Sequence, residues 1–546
     1  MLRIHELKLP LDCQPEDLRT AAAKVLKVRP EQITDLQLYR KSVDSRKKDD
    51  VKFVFTVDVD VQANESKILK RCDARKVQTA TYYQYEPAEV RRTSPLRPVV
   101  VGFGPAGMSC ALALAEAGLN PIVLERGHDV DTRTKDVHAF WDTRTLNRSS
   151  NIQFGEGGAG TFSDGKLNTG IKDPRQRKVY DDFVRFGAPE EIRYTHNPHI
   201  GTDKLAEVVK NIRLEVIRLG GDVRFGCTLT DLIIANSAIH GVTYTEEDGH
   251  TVDLETDTVV LALGHSARDT VDMLFGKGIR MIQKPFSVGA RIEHPREFID
   301  RAQYGSFAGH PALGAANYKM ACHPEHGRGA YTFCMCPGGT VVMASSEGGD
   351  VVVNGMSYYA RDLENSNSAV LVGIEPEHFP DKHPLSGVAL QRQMEQTAFA
   401  LGGSDYTAPA QLVGDFLNDR KSVRFGAVTP SCPTGTVPSD IRQVLPKPVT
   451  DCMADALLQM DRKLKGFALP EAVLTAPETR SSSPVRIVRD DFFECFLGDN
   501  ELSGAYPCGE GAGYAGGIVS AACDGIRVAE AILLDERAEQ PLSEFI

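Results

Sequence analysis

The sequence has no long apolar run, and its mean hydropathy is −0.24, so no segment is suited to cross a bilayer as a helix. Its opening residues, MLRIHELKLPLD, break short apolar patches with charges, unlike the continuous apolar core of a signal peptide or anchor. Twelve cysteines among 546 residues are too few and too scattered for a disulfide framework. Without an export signal, they read as reduced thiols of a cytoplasmic protein. Basic residues are outnumbered: 62 Lys and Arg face 74 Asp and Glu, and the net charge of −12 speaks against a broad nucleic-acid surface, which needs clustered cations. The basic stretch Arg40, Lys41, Arg46, Lys47 and Lys48 is balanced by acids and reads as a solvated turn. Internal repeats and low-complexity tracts are absent. What remains is an ordinary globular composition, 42% apolar and 25% charged, on a chain longer than one core usually supports. Two or three domains are expected.

Residues 1–90 read as a small α+β module. It has strand-like runs at Leu2–Leu9 and Ile33–Tyr39, a helical stretch at Pro15–Val28, and the alternating strand VKFVFTVDVDV from Val51 to Val61. The segment RRTSPLRP, Arg91 to Pro98, has the composition of a linker. Residues 98–284 then alternate strand and helix as a nucleotide-binding α/β domain. Residues 285–490 break into strand-like pieces such as SVGARIEH and TVVMAS, as expected of an inserted, mainly antiparallel β domain that covers a small-molecule substrate. Within it, Gly414 to Glu494 yields no clear elements beyond a helical piece at Met453–Leu464. Residues 491–546 return to the nucleotide domain through a glycine-rich loop and a helix, SAACDGIRVAEAILL.

The first chemical constellation is VVVGFGPAGMSCALALAEAGLNPIVLERG, Val99 to Gly127. Gly102 permits a tight turn from strand to helix, Gly104 lets the backbone approach a pyrophosphate, and Gly107 lets the helix lie close to the strand. Pro105 and Ala106 open the helix, whose N-terminus offers free N–H groups and a positive dipole to phosphate. Glu125 ends the next strand, where a carboxylate can accept from ribose hydroxyls, with Arg126 beside it.

GxGPAG followed by a strand ending in LERG resembles the N-terminal FAD motif of the glutathione reductase and p-hydroxybenzoate hydroxylase superfamily. That resemblance, not the spacing, selects FAD over NAD. It implies a Rossmann-like FAD-binding domain of the glutathione reductase type. It also implies a later loop that meets the flavin ribityl chain and aims a helix at the isoalloxazine, here GEGAGYAGG with Gly509, Glu510, Gly511, Gly517 and then Ile518. Glu510 departs from the Asp usual in the superfamily. TDTVVLALGHSARDT resembles the strand and turn that close the first nucleotide unit, with Gly264 in the turn. FGEGGAGTFSDGK, Phe154 to Lys166, lies where the superfamily threads its chain past the flavin, which brings Gly157, Gly158 and Gly160 toward the ring and makes Lys166 a candidate for a cation near N1 or N5. Together these segments, the N-terminal module and CMCPGGTVVMASSEGGDVVVNGMSYYAR resemble the bacterial FAD-dependent proteins often labelled NAD(FAD)-utilising dehydrogenases. The resemblance implies an FAD-dependent oxidoreductase. The alternative is a flavoprotein that senses redox state or recruits a protein partner through its N-terminal module.

A second Gly-x-Gly-x-x-Gly in a strand–helix–strand context is missing, so NADH or NADPH would visit the flavin only transiently. Cys334-x-Cys336 lacks the second ligand pair of a zinc site and the CxxC or CxxxxC spacing of disulfide reductases, and reads as two buried structural cysteines on one face of a strand. Cys508 adjoins the C-terminal loop and is the second catalytic candidate beside Lys166, though a packed small residue is the plainer reading. Cys322, His323 and His326 cluster without a partner pair, and no metal is expected.

Overall fold

The computed structural model of the chain describes residues 1–324 and 328–535. The N-terminal module is built from strands β1 (Leu2–Pro10), β2 (Ile33–Asp44), β3 (Lys52–Val61) and β4 (Val77–Thr79), with helices α1 (Pro15–Leu26) and α2 (Glu65–Arg71). The sheet order is β2-β3-β1-β4, all antiparallel. Alternation in β3 does what the sequence implies: Phe53, Phe55, Val57 and Val59 are buried against Leu18, Ala22 and Leu26 of α1 in a core of their own. The sheet ends at Thr79, and residues 80–98 form neither helix nor strand. That segment is nevertheless docked: Tyr85 packs on the nucleotide-domain core, and Arg91 and Arg92 donate backbone N–H groups to the Leu533 carbonyl. The basic stretch also docks in part. Lys41 exchanges backbone hydrogen bonds with Tyr194 and His196, Lys48 Nζ donates to the Gln303 carbonyl, and Arg46 pairs with Asp44 at 2.6 Å.

The nucleotide domain rests on five parallel strands in the order β25-β11-β5-β6-β7, namely β5 (Val99–Val101), β6 (Ile122–Leu124), β7 (Asp222–Arg224), β11 (Val259–Leu261) and β25 (Ala505–Pro507). Its helices are α3 (Pro105–Glu116), α4 (Val130–Thr143), α5 (Gln176–Arg185), α6 (Thr202–Arg218), α7 (Arg268–Gly276) and the terminal α12 (Ile518–Leu534). A meander of β8 (Thr228–Ala235), β9 (Ala238–Thr245) and β10 (Thr251–Glu255) flanks it. Helix α3 is apolar on every side because it is sandwiched: nine of its residues are buried, from Ala106 to Ala115. Against it lies α12, brought close by Gly525, where a Cβ would stand 2.1 Å from the Ala106 carbonyl oxygen.

The chain leaves this domain through β12 (Met281–Gln283) and returns through β22 (Val485–Ile487), which pair antiparallel. Between them are β13 (Phe286–Pro295), α8 (Arg296–Tyr304), β14 (Ala321–Cys322), β15 (Ala330–Cys336), β16 (Thr340–Met343), β17 (Val353–Met356), β18 (Asn365–Ile374), α9 (Ser386–Leu401), β19 (Ala408–Leu412), α10 (Val413–Leu417), β20 (Thr436–Pro438), α11 (Lys447–Lys463) and β21 (Val473–Glu478). Seven of these strands form one sheet, β14-β15-β18-β13-β21-β19-β20, antiparallel except where β19 meets β20. β16 pairs with β17, and β23 (Phe496–Leu497) with β24 (Asn500–Glu501). The stretch 414–494 that gave no clear elements by sequence holds β20, α11, β21 and β22. Its many prolines mask short strands whose ladders are completed by distant partners.

A buried charge cluster clamps the insert onto the nucleotide domain. Glu395 of α9 accepts from Arg268 of α7 at 2.8 and 2.9 Å and from Arg480 after β21 at 2.9 and 2.7 Å, with the Thr479 hydroxyl at 2.6 Å. Burial alone would raise its pKa, but the two guanidinium groups outweigh burial and hold it well below the usual carboxylate range. A carboxylate depressed in the folded state stabilises the fold above its unfolded pKa, 4.5, and loses that contribution as pH falls below it. Glu395→Gln, which removes the carboxylate the two arginines share and leaves Arg268 with Glu347 and Arg480 with Asp350, is expected to cost about 1.5–3 kcal/mol at neutral pH. In denaturant titrations the gap between wild type and variant should narrow from about pH 5 downward. Removal of residues 1–79, which carry their own core, is expected to leave the rest of the chain folded, with its own cooperative transition in differential scanning calorimetry.

Candidate functional site

A cavity of about 410 Å³ opens at the carboxyl ends of the parallel strands, where Val101, Leu124, Ala262 and Cys508 follow or end β5, β6, β11 and β25. Open α/β sheets bind ligands at that edge, because helix N-termini converge there. Two do so here: α3 starts from Gly104 and α12 from Gly517, and both glycines line the cavity. The cavity extends from Glu125, Arg126 and Cys227 to the face of the inserted sheet at Thr332, Phe333 and Cys334.

The glycines divide by what a side chain would meet. At Gly102, with φ +95°, a Cβ would lie 2.4 Å from the Ala262 carbonyl oxygen, and at Gly107 it would lie 1.9 Å from that of Gly102. The fold itself needs those two. At Gly104 a Cβ meets only the Gly158 Cα at 3.7 Å, and at Gly517 it meets nothing within 4 Å. The fold itself does not fill the space beside these two glycines, and both line the cavity. Gly511 belongs to the first kind, packed 2.3 Å from the Gly264 carbonyl oxygen, and Gly509 faces Ala106 at 2.6 Å. Gly158 sits against Gly104, and Gly160 against Ile518, so the third glycine segment closes the mouth between the two helix N-termini. Gly157 faces inward to Thr161 and Val209.

Glu125 lines the cavity, and the fold itself already uses its carboxylate. Its carboxylate takes three backbone N–H groups, from Phe103 at 2.7 Å, Gly127 at 3.0 Å and Gly155 at 2.9 Å. A carboxylate has about four acceptor positions, so roughly one remains for a hydroxyl. Arg126 forms a two-pronged pair with Asp269 at 2.9 and 3.1 Å, with its guanidinium 4.4 Å above the Phe154 ring. Glu510 lines the cavity with its pKa pushed up to about 7 by burial, an effect that Lys284 moderates. Its carboxylate accepts no hydrogen bond from the described residues and is available to a ligand hydroxyl.

Lys166 is no solvated loop cation. Its Nζ pairs with Asp164 at 2.8 Å and donates to the Met335 carbonyl of β15, joining the glycine segment to the inserted sheet. Asp164 is fully buried, yet Lys166 and Arg361 outweigh desolvation and lower it to about 2. Cys508 is 1% exposed, and burial with the adjacent Asp524 carboxylate pushes its thiol far above the ordinary range, so it is a packing residue and a poor nucleophile. Cys334 and Cys336 do not lie on one regular strand face. A bulge separates Phe333 from Cys336, Cys334 adopts φ +42°, and its side chain lines the cavity while Cys336 is fully buried behind it. His323 stands apart from the cavity lining, and His326 lies outside the described residues.

Sequence reasoning missed His265 and Arg480, which both line the cavity. Burial, Arg480 and Arg268 lower His265 to about 3, so it is a neutral imidazole at physiological pH. His265 was within reach, one residue after the recognised Gly264. Arg480 carries no local signal, because only the return of β21 past α7 brings it in.

Residues 285–481 match the family described as "FAD-dependent protein, C-terminal domain-like", residues 97–135 match "FAD binding domain", and residues 1–60 match a domain of unknown function. No described helix is long and apolar enough to cross a membrane. Among solved structures, a flavoprotein/dehydrogenase from Cytophaga hutchinsonii is 12% identical with a TM-score of 0.36, covering 82% of this chain and 80% of that one. A myxobacterial chondrochloren halogenase is also 12% identical at a TM-score of 0.36, covering 82% and 77%. An uncharacterized protein of Clostridium beijerinckii is 45% identical over 534 residues, 97% of this chain and 98% of that protein. Alike end to end with that relative and matched by both FAD domains, the chain belongs to this family of FAD-dependent proteins.

Proposed function

We propose that the chain is an FAD-dependent oxidoreductase of the glutathione reductase type, cytoplasmic, with non-covalent FAD in the cavity and a small-molecule substrate between the flavin and the inserted sheet. The observation that carries this reading is the pair of glycines, Gly104 and Gly517, which line one cavity at two helix N-termini with room beside them that the fold does not fill. Bound FAD supplies reversible two-electron chemistry. The chain's own residues do the rest. Free N–H groups at the start of α3 neutralise a pyrophosphate, and Glu125 offers its remaining acceptor position to the adenosine ribose. Glu510 accepts from a ribityl hydroxyl. The N-terminus of α12 favours negative charge at the adjoining edge of the ring. Lys166, held by Asp164 and the Met335 carbonyl, adds a fixed cation on the opposite wall. NADH or NADPH acts as a transient donor, since the chain has no second dinucleotide motif. The N-terminal module, with its own core, is the natural place for a protein partner.

Gly104→Val and Gly517→Val fill space that the protein leaves empty, so both variants are expected to fold, to purify colourless and to bind added FAD at least about 100-fold more weakly by fluorescence quenching. Gly102→Val and Gly107→Val collide with backbone and are expected to lose the fold by circular dichroism. Retained flavin in Gly104→Val would refute the placement of the pyrophosphate.

Glu510 also gives a pH signature. Below about pH 7 it is neutral and above that it is ionised, and a negative charge beside the flavin opposes reduction. Glu510→Gln is therefore expected to raise the flavin midpoint potential at pH 8 and to leave it nearly unchanged at pH 6, as read by anaerobic dye-coupled titration.

A further inference from the structure

The bulge in β15 sets two thiols where the proposed reaction has no assigned role for them. Residues two apart on a regular strand have Cα atoms about 6.6 Å apart, near the upper limit for a disulfide. Here the strand is not regular. One extra residue lies between the pairs Phe333↔Ala369 and Cys336↔Asn367, and Cys334 takes a left-handed φ of +42°, so the ordinary two-residue strand geometry does not hold. The Cys336 thiol donates to the Cys334 carbonyl at 3.2 Å. Arg291 Nη1 donates to that carbonyl at 2.9 Å and lies 3.8 Å from the Cys336 sulfur. From the other side, Lys166 donates to the carbonyl of Met335, the residue between them. The cysteine pair is thus bracketed by two fixed cations, with Cys334 opening on the cavity and Cys336 sealed behind it.

We propose that Cys334 and Cys336 form a redox-active dithiol/disulfide couple that exchanges two electrons with the bound flavin. Closure breaks two S–H bonds and forms one Sγ–Sγ bond. The two electrons released pass with one proton to FAD, and the second proton leaves to solvent; reduced flavin reopens the bond by the reverse step. Cys334 is the member that faces the flavin, and its ionisation is favoured by the Cys336 thiol, then by Lys166 and Arg291 despite burial, while burial and its neighbour hold Cys336 protonated. That asymmetry gives one attacking thiolate and one resolving thiol. Cys336 is fully buried, so exchange runs through Cys334 on the cavity side.

This inference rests on FAD occupying the cavity, and the test separates the two claims. The FAD-loaded full chain is titrated anaerobically with dithionite and with NADH, after its flavin content has been read from its spectrum. The expected uptake is four electrons per FAD in the wild type and in the distant control Cys13→Ser, and two in Cys334→Ser and Cys336→Ser. In parallel, wild-type chain from each end of the titration is denatured, alkylated and mapped by mass spectrometry. Cys334 and Cys336 should be joined in the oxidised sample and both alkylated in the reduced one. Protein without FAD defeats both readings. FAD-loaded wild type that takes up two electrons, or that shows both thiols alkylated when oxidised, overturns the couple and leaves the flavin reading standing, even if the serine variants fail to fold.

Discussion

Three backbone N–H groups converge on the Glu125 carboxylate, and the rest of the site depends on that convergence. Phe103 belongs to the glycine turn before α3, Gly127 to the exit of β6, and Gly155 to the start of the third glycine segment. Loops so rich in glycine carry a large conformational entropy and have few side chains to fix them. One buried anion that accepts from all three sets their relative positions, which a pyrophosphate cradle requires before any ligand arrives. The acid recognised by its spacing from Gly107 is therefore a structural organiser of all three loops.

A second layer of charge holds the two domains in register around the cradle. Glu395 draws Arg268 and Arg480 together across the domain junction, and Asp164 does the same for Lys166 and Arg361 between the glycine segment and the inserted sheet. The Asp164 cluster sets two cations, Lys166 and Arg361, against one anion on the cavity wall. An electron-rich flavin and the phosphates of its dinucleotide are the guests such a wall suits, because fixed charges in a poorly solvated site need no rearrangement when the guest's charge changes.

Much of this was legible in the chain because it is local. The glycine turn, the helix that follows it, the acid ending β6 and the terminal loop-helix all lie within short windows where spacing and periodicity act directly. The alternation of β3 and the apolar run of α3 placed their cores for the same reason. What could not be read is what distant segments build together. The strands after residue 414 are short and proline-rich, and gain their identity only from partners such as β13. Arg480 reaches the cavity through topology alone. Cys334 and Cys336 look like strand residues on one face until the register against β18 reveals a bulge, and a bulge leaves no mark in a two-residue spacing. Lys166 looks like a loop cation until the Met335 carbonyl is seen above it.

The central claim is that the cavity at the strand ends is an FAD site, shaped by glycines the fold itself does not require. The most direct measurement is the flavin content of the purified full chain: absorbance of the native protein, then chromatography and mass spectrometry of what heat denaturation releases. The account predicts a yellow protein that releases intact FAD at close to one per chain. A colourless protein that takes up no added FAD, or one that releases only FMN, would contradict it.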